Sequence, residues 1–237
     1  MSQLPTTLAQ ARQFFVHQRL TGPSSGNNCG PSCLAMCFAA LGLINRGQSA
    51  GKEFCVGFRQ LATSATGFDL ARLAAVGVKV KVSGKPVGGH VAKVDHGFKH
   101  LELALSHNHA VILDGYFKNS SSTSRLVEFE LKHQKIDGVS TSPSGKIQTS
   151  QKSAPLTQKN FVSDRGGGHF VAVLGRTSAG ELLVADPAGD SASASVFSIT
   201  PAELYHVFSD YPGRDSVVQT GGVKERYRDV PFLSLAP

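Results

Sequence analysis

A chain of 237 residues, 41% hydrophobic and 17% charged, is long enough for one packed core burying about 70% of its unfolded surface, which excludes global disorder. Its 24 Lys and Arg against 17 Asp and Glu give a net charge of +7. The basic residues are scattered, with no run of five, no zinc-finger spacing and no aromatic ribonucleoprotein motif, so no nucleic-acid partner is expected.

Residues 6 to 20 carry Leu8, Ala11, Phe14, Phe15 and Leu20 at roughly helical spacing, and the start of the chain has no basic region followed by an apolar stretch. No Sec signal and no membrane span are therefore predicted, and the protein is expected to be cytoplasmic as made. Thr21 to Asn28, rich in Gly, Ser and Asn, reads as a loop that ends at Cys29. From Pro31 to Leu43 small and apolar residues are nearly continuous, with Pro in the first turn and Gly42 near the end, which predicts a buried helix.

A second helix is predicted over Phe68 to Val76, closed by Gly77, and Val78 to Val82 then alternate with period two as a half-exposed strand does. The same order returns as a helix over Gly97 to Ser106 and a buried strand over Ala110 to Leu113, joined by His107-Asn108-His109. Residues 118 to 165 are dominated by Ser, Thr, Lys, Gln and Gly, with clean alternation only over Leu126 to Leu131; this segment is predicted to be a flexible insertion carrying a hairpin. Two strong strands follow, Phe170 to Leu174 and Leu182 to Ala185, joined by a turn at Arg176 to Gly180. Val196 to Ile199 is a further strand, Pro201 to Phe208 a short helix capped by Thr200, and a polar tail ends in a last apolar stretch. The fold class predicted is α+β, one domain over residues 1–237, with the cysteine helix packed on an antiparallel sheet.

Cys29 stands where a loop enters an apolar helix, beside unpaired backbone N–H groups and the positive helix end. That position lowers a thiol pKa, and the same amides can hold an oxyanion. Taken alone, Cys29 fits the commonest fate of a free cysteine, that of a small buried hydrophobe. Among nine histidines, His169 alone follows a glycine run, Gly166-Gly167-Gly168, at the opening of an apolar strand. Asp186-Pro187 closes the next strand, so a tight hairpin brings its carboxylate beside His169, where it can hold the imidazole and support its protonated form. Taken singly, His169 is a strand-end histidine and Asp186 a turn former; their joint spacing sets them apart.

Cys29, Cys33 and Cys37, or His96, His100, His107 and His109, offer metal-ligand types, but no CxxC pair completes a tetrahedral set and no metal or other cofactor is expected. A redox pair of Cys29 and Cys33 is disfavoured because helical i, i+4 spacing strains a disulfide.

Asn28-Cys29-Gly30-Pro31-Ser32-Cys33-Leu34-Ala35-Met36, then Gly168-His169-Phe170-Val171-Ala172-Val173-Leu174-Gly175, then Val184-Ala185-Asp186-Pro187 resemble the double-glycine-leader, bacteriocin-processing peptidases. The order and the histidine-to-aspartate spacing are also similar to phytochelatin synthases. The resemblance covers residues 18 to 48 and 166 to 210, and more loosely 97 to 116. It implies a papain-like fold and acyl-enzyme chemistry, with Cys29 as nucleophile, His169 as base and Asp186 orienting the histidine. Papain-like enzymes place a Gln shortly before the nucleophile to donate to the oxyanion. Pro23 stands there in this chain, which leaves Gln18, or an amide from Asn27 or Asn28, for that role.

The expected function is thus cysteine-dependent amide hydrolysis, first as a sequence-selective protease acting on a protein or peptide. Glutamine deamidation or transpeptidation of a partner protein is the alternative, and a papain-fold binding module the non-enzymatic one. A free-standing enzyme of this kind fits a cytosolic maturation protease or an effector delivered by a specialised secretion system.

Overall fold

The computed structural model describes residues 4–62, 70–87, 91–96, 98–117, 129–131, 139–141, 147–149, 168–189, 191–201, 215–220, 223–228 and 231–236. Helix α1 (Leu8–Arg12) is opened by a capping box in which Thr7 accepts from the Gln10 backbone and Gln10 answers the Thr7 backbone. It is much shorter than the spacing over residues 6 to 20 predicts. The chain leaves the helix because the backbone N–H of His17 donates to Gln48 Oε1 (2.7 Å) and that of Gln18 to Pro187 O (2.9 Å), contacts that a continuous helix would forbid. Two 3₁₀ turns, Gln18–Leu20 and Ser25–Asn27, then lead into α2 (Cys29–Ala40).

Every residue of α2 is buried, as the nearly continuous apolar run requires. Against it pack α3 (Gln48–Leu61) and α4 (Leu70–Gly77). The alternation after α4 survives as a burial pattern, with Val80 and Val82 inside and Lys79 and Lys81 outside. Only β1 (Lys81–Val82) is a strand, paired with β2 (Lys85–Pro86). Next come β3 (Val91–His96), α5 (Phe98–Ser106) and β4 (Ala110–Phe117). Asn108 takes the left-handed turn between the last two, with φ of 62°.

Within the segment 118–165, β5 (Phe129–Leu131), β6 (Val139–Thr141) and β7 (Ile147–Thr149) are described; the predicted mobile loops around them lie outside the described residues. The chain returns through β8 (Gly168–Arg176), β9 (Leu182–Ala185), the short helix α6 (Ala192–Ser195) and β10 (Val196–Ile199). The predicted helix beyond Pro201 also lies outside the described residues. A ribbon of β11 (Asp215–Thr220) and β12 (Val223–Arg228) precedes β13 (Pro231–Ala236).

One antiparallel sheet organises these pieces, in the order β10-β9-β8-β4-β13-β3. β5 pairs with β4 over Gly115–Phe117, beyond the stretch that β13 occupies. The architecture is therefore α+β, with α2 lying on β8 and β4. Ile112, Phe170, Ala172, Leu174, Leu183 and Ala185 join the core around α2. Their alternates Val111, Leu113, Val171, Val173, Leu182 and Val184 are buried as well, and α5 packs against β3, β4 and β13. Leu34 of α2 is wholly buried and lies so close to Gly77 that a Cβ there would stand 2.7 Å from its Cδ1. Leu34→Ala is expected to lower stability by about 2–5 kcal/mol, read as an earlier urea midpoint at unchanged slope.

Candidate active site

Cys29 is the first residue of α2, so its sulfur lies at the end of the helix where backbone N–H groups have no intrahelical acceptor. Gly30 follows, and a Cβ there would stand 3.0 Å from Leu73 and 3.2 Å from the ring of Phe170. Without that Cβ, β8 lies close against the first turn of α2. The residue before Phe170 is His169, which is thereby delivered to the thiol and hydrogen-bonds it. The N–H groups of Phe170 and Gly30 also favour the charged form of the sulfur.

Asp186 lies just past the end of β9, the strand paired with β8. His169 Nε2 donates to Asp186 Oδ1 at 2.8 Å, which leaves Nδ1 for Cys29. The carboxylate is itself held: Oδ1 accepts from Ala188 N (2.9 Å), and the Asp186 N–H donates to Ser195 O (2.9 Å). The turn closes tightly enough that a Cβ on Gly189 would fall 1.9 Å from Ser195 Oγ, so only glycine fits. The three side chains named from sequence thus meet, from positions 140 and 17 residues apart, with relative exposures of 8% for Cys29, 5% for His169 and 0% for Asp186.

Burial alone would raise the Cys29 thiol pKa, but the hydrogen bond and charge of His169, with the Phe170 and Gly30 N–H groups, outweigh it and lower the pKa below its ordinary 9.0. Burial likewise works against a charged His169, yet the Asp186 carboxylate and the thiolate raise its pKa to about 9. Both shifts favour a thiolate–imidazolium pair. The other cysteines lie in dry surroundings: burial pushes Cys33 and Cys37 up, and Cys55 to about 12. Cys33 and Cys37 are core packing, as expected from the apolar run around them.

The two amides expected at the oxyanion fare differently. Asn28 is fully buried, but its Nδ2 donates to Thr21 Oγ1 (2.8 Å) and Pro23 O (3.3 Å), while its Oδ1 accepts from Arg59 Nε (2.7 Å). This corrects the expectation for Asn28: a buried amide satisfies its own polar atoms, and here the partners belong to the preceding loop and to α3. Gln18 is buried against the turn that carries Asp186, through its N–H bond to Pro187 O. Its Nε2 reaches only Gly26 O, at 3.4 Å, and its Oε1 has no partner among the described residues. Neither amide is directed at the sulfur; its neighbours are the His169 ring and the main-chain N–H groups of Phe170 and Gly30.

Arg59 escaped the sequence reading, as did the whole of α3. The signal was present in Gly51, Phe54, Cys55 and Phe58, spaced i, i+3, i+4, i+7 and buried on one face. Of the histidines weighed as ligands, His100 bonds Asp95 Oδ1 at 2.6 Å, and among the described residues no three His, Cys, Asp or Glu side chains converge as a metal site would need. Among the described residues no helix is long and apolar enough to cross a membrane. No family model, no curated protein and no solved structure matches this chain significantly.

Proposed function

We propose that the chain is a cysteine-dependent amide hydrolase of the papain-like type, acting as a sequence-selective protease through Cys29, His169 and Asp186. One observation carries the reading: three residues far apart in sequence meet at a helix N-terminus, with the thiol pKa lowered and the imidazole pKa raised to about 9. A nucleophile on a buried helix, facing a histidine on one strand and an aspartate just past the end of its antiparallel neighbour, is the arrangement that the papain-like resemblance implies.

In the first step the Cys29 thiolate bonds to the carbonyl carbon, and the developing oxyanion takes hydrogen bonds from main-chain N–H groups at the start of α2. The C–N bond then breaks as His169 passes its proton to the leaving amine. Neutral His169 next takes a proton from water, whose oxygen attacks the thioester; the S–C bond breaks, and the acid and the thiolate–imidazolium pair are restored. Asp186 accepts from His169 throughout and holds its ring in place.

One observation favours glutamine deamidation or transpeptidation as a second reading. With Cys29 and His169 only 8% and 5% exposed, a slender acyl group such as a Gln side chain reaches the sulfur more readily than a bulky backbone segment. The two readings share the thioester and differ in what leaves and what accepts.

Incubation of the protein with a peptide library, followed by mass spectrometry, tests the proposal. New peptide termini indicate proteolysis, whereas a gain of about 1 Da with ammonia release indicates deamidation. Cys29→Ala is expected to abolish either product while shifting stability by no more than about 1 kcal/mol. Turnover by Cys29→Ala equal to the parent would sink the proposal.

A further inference from the structure

Residues 17–28, which carry the chain into Cys29, form a strap gripped at two points by α3. Gln48, at the first turn of the helix, accepts from the His17 N–H (2.7 Å) and donates to His17 O (3.2 Å). Arg59, near the last turn and so roughly 16 Å further along the helix, donates through Nε to Asn28 Oδ1 at 2.7 Å and through Nη2 to Asn27 O. Asn28 continues the chain of bonds to Thr21 Oγ1, whose hydroxyl donates to Gln18 O, and the Gln18 N–H reaches Pro187 O beside Asp186. Hydrogen bonds therefore run from Arg59 through the residue before the nucleophile to the turn that carries the carboxylate.

We propose that Arg59 is a positioning residue of this site, holding Asn27 and Asn28 with its guanidinium fork and setting a second positive charge against the Cys29 thiolate. The inference rests on the cysteine-hydrolase reading and adds to it a group from a helix outside the triad. The fork matters because Nε and Nη2 grip two successive residues at once, which fixes the direction in which the chain enters α2. The charge matters because the half-buried guanidinium is held on Asn28, the residue before the sulfur, and is coupled to the charge of Cys29. Burial lowers the guanidinium pKa, and the charges of Cys29 and Cys55 oppose that. The charged and titratable groups coupled to Cys29 are His169 from β8, which is held by Asp186, Arg59 from α3, and Cys33 from α2 itself.

The test is the pH dependence of Cys29 alkylation by iodoacetamide, followed by peptide mapping, in the parent, R59Q and R59K. R59Q is expected to move the acid limb up by about one pH unit, so that labelling below the limb slows about tenfold. R59K keeps the charge and is expected to retain the parent limb, but it cannot grip both residues, and turnover should fall about tenfold. An R59Q limb superimposed on the parent's, or an R59K protein with parental turnover, would overturn the proposal. A parent protein that shows no low-pH limb at all would instead overturn the hydrolase reading on which the proposal stands.

Discussion

Iodoacetamide at pH 6 is expected to modify Cys29 and to leave Cys33, Cys37 and Cys55 untouched. The four thiols sit within one buried cluster, so exposure alone would predict little labelling anywhere. Reactivity follows the thiolate, and only at Cys29 do the neighbours that favour it outweigh burial; at Cys55 Ser32, Thr21 and Arg59 also favour it, but burial prevails. Replacing His169 by Ala removes the opposing charge and the hydrogen bond while leaving the burial, which by itself raises the thiol pKa. Each unit of that rise lowers the thiolate fraction tenfold below the limb, so labelling at pH 6 should slow by about 10²-fold or more. The alkaline side separates two functions of the same pair. As pH passes about 9, His169 loses its proton; alkylation, which needs only the thiolate, continues. Amide hydrolysis needs that proton for the leaving amine and should decline. The hydrolysis profile is then bell-shaped, rising at the lowered thiol pKa and falling near 9, while the alkylation profile rises and stays high. Parallel labelling of all four cysteines, or no effect of His169→Ala, would leave Cys29 an ordinary core thiol.

The triad was legible from sequence because each member stands at an element boundary that local pattern reveals. Cys29 begins the apolar run of α2, His169 follows the glycines at the start of β8, and Asp186 precedes Pro187 at the end of β9. The hairpin of β8 and β9 also fixes the last two relative to one another without reference to the rest of the fold. What local pattern does not carry is direction of side-chain amides. Asn28 and Gln18 both lie beside the site, yet their partners are Arg59, Thr21, Pro23 and Gly26, a set that depends on where α3 crosses the strap.

The same limit governs the rest of the fold. Phe14 and Phe15 continue a helical spacing that the chain does not follow, since tertiary hydrogen bonds to Gln48 and Pro187 outcompete the local helix. The apolar stretch at the end of the chain becomes β13, which pairs with β3 on one edge and β4 on the other. Phe232, for example, aligns with Asp95 and with Leu113, more than a hundred residues earlier. Hydrophobicity marks that segment as buried, but nothing within it states that its place is between two strands from the first half of the chain.

Asp186→Asn is expected to retain partial activity and to move the alkaline limb of turnover down from about 9 toward the ordinary histidine value of 6.5. The carboxylate does two things that this substitution separates. Its Oδ1 accepts from both His169 Nε2 and Ala188 N, a geometric task that the oxygen of an Asn amide can perform from the same place. Its charge holds the imidazolium, which an amide cannot do. The amide nitrogen would take the position of Oδ2, which has no hydrogen-bond partner among the described residues, so the exchange breaks no existing bond but buries a donor without an acceptor. Activity at pH 7 should therefore fall about tenfold in Asp186→Asn, and about 10²-fold or more in Asp186→Ala, where ring orientation is lost as well. Stability offers an independent reading. Because the folded His169 pKa lies above its unfolded value, the charge pair stabilises the fold fully below pH 6.5 and ceases to do so as pH rises through about 9. The stability difference between the parent and Asp186→Asn should accordingly be greatest at pH 6 and shrink toward pH 10 in urea titrations. An Asn variant whose turnover still declines near pH 9 would mean that the carboxylate's charge is not what keeps His169 protonated.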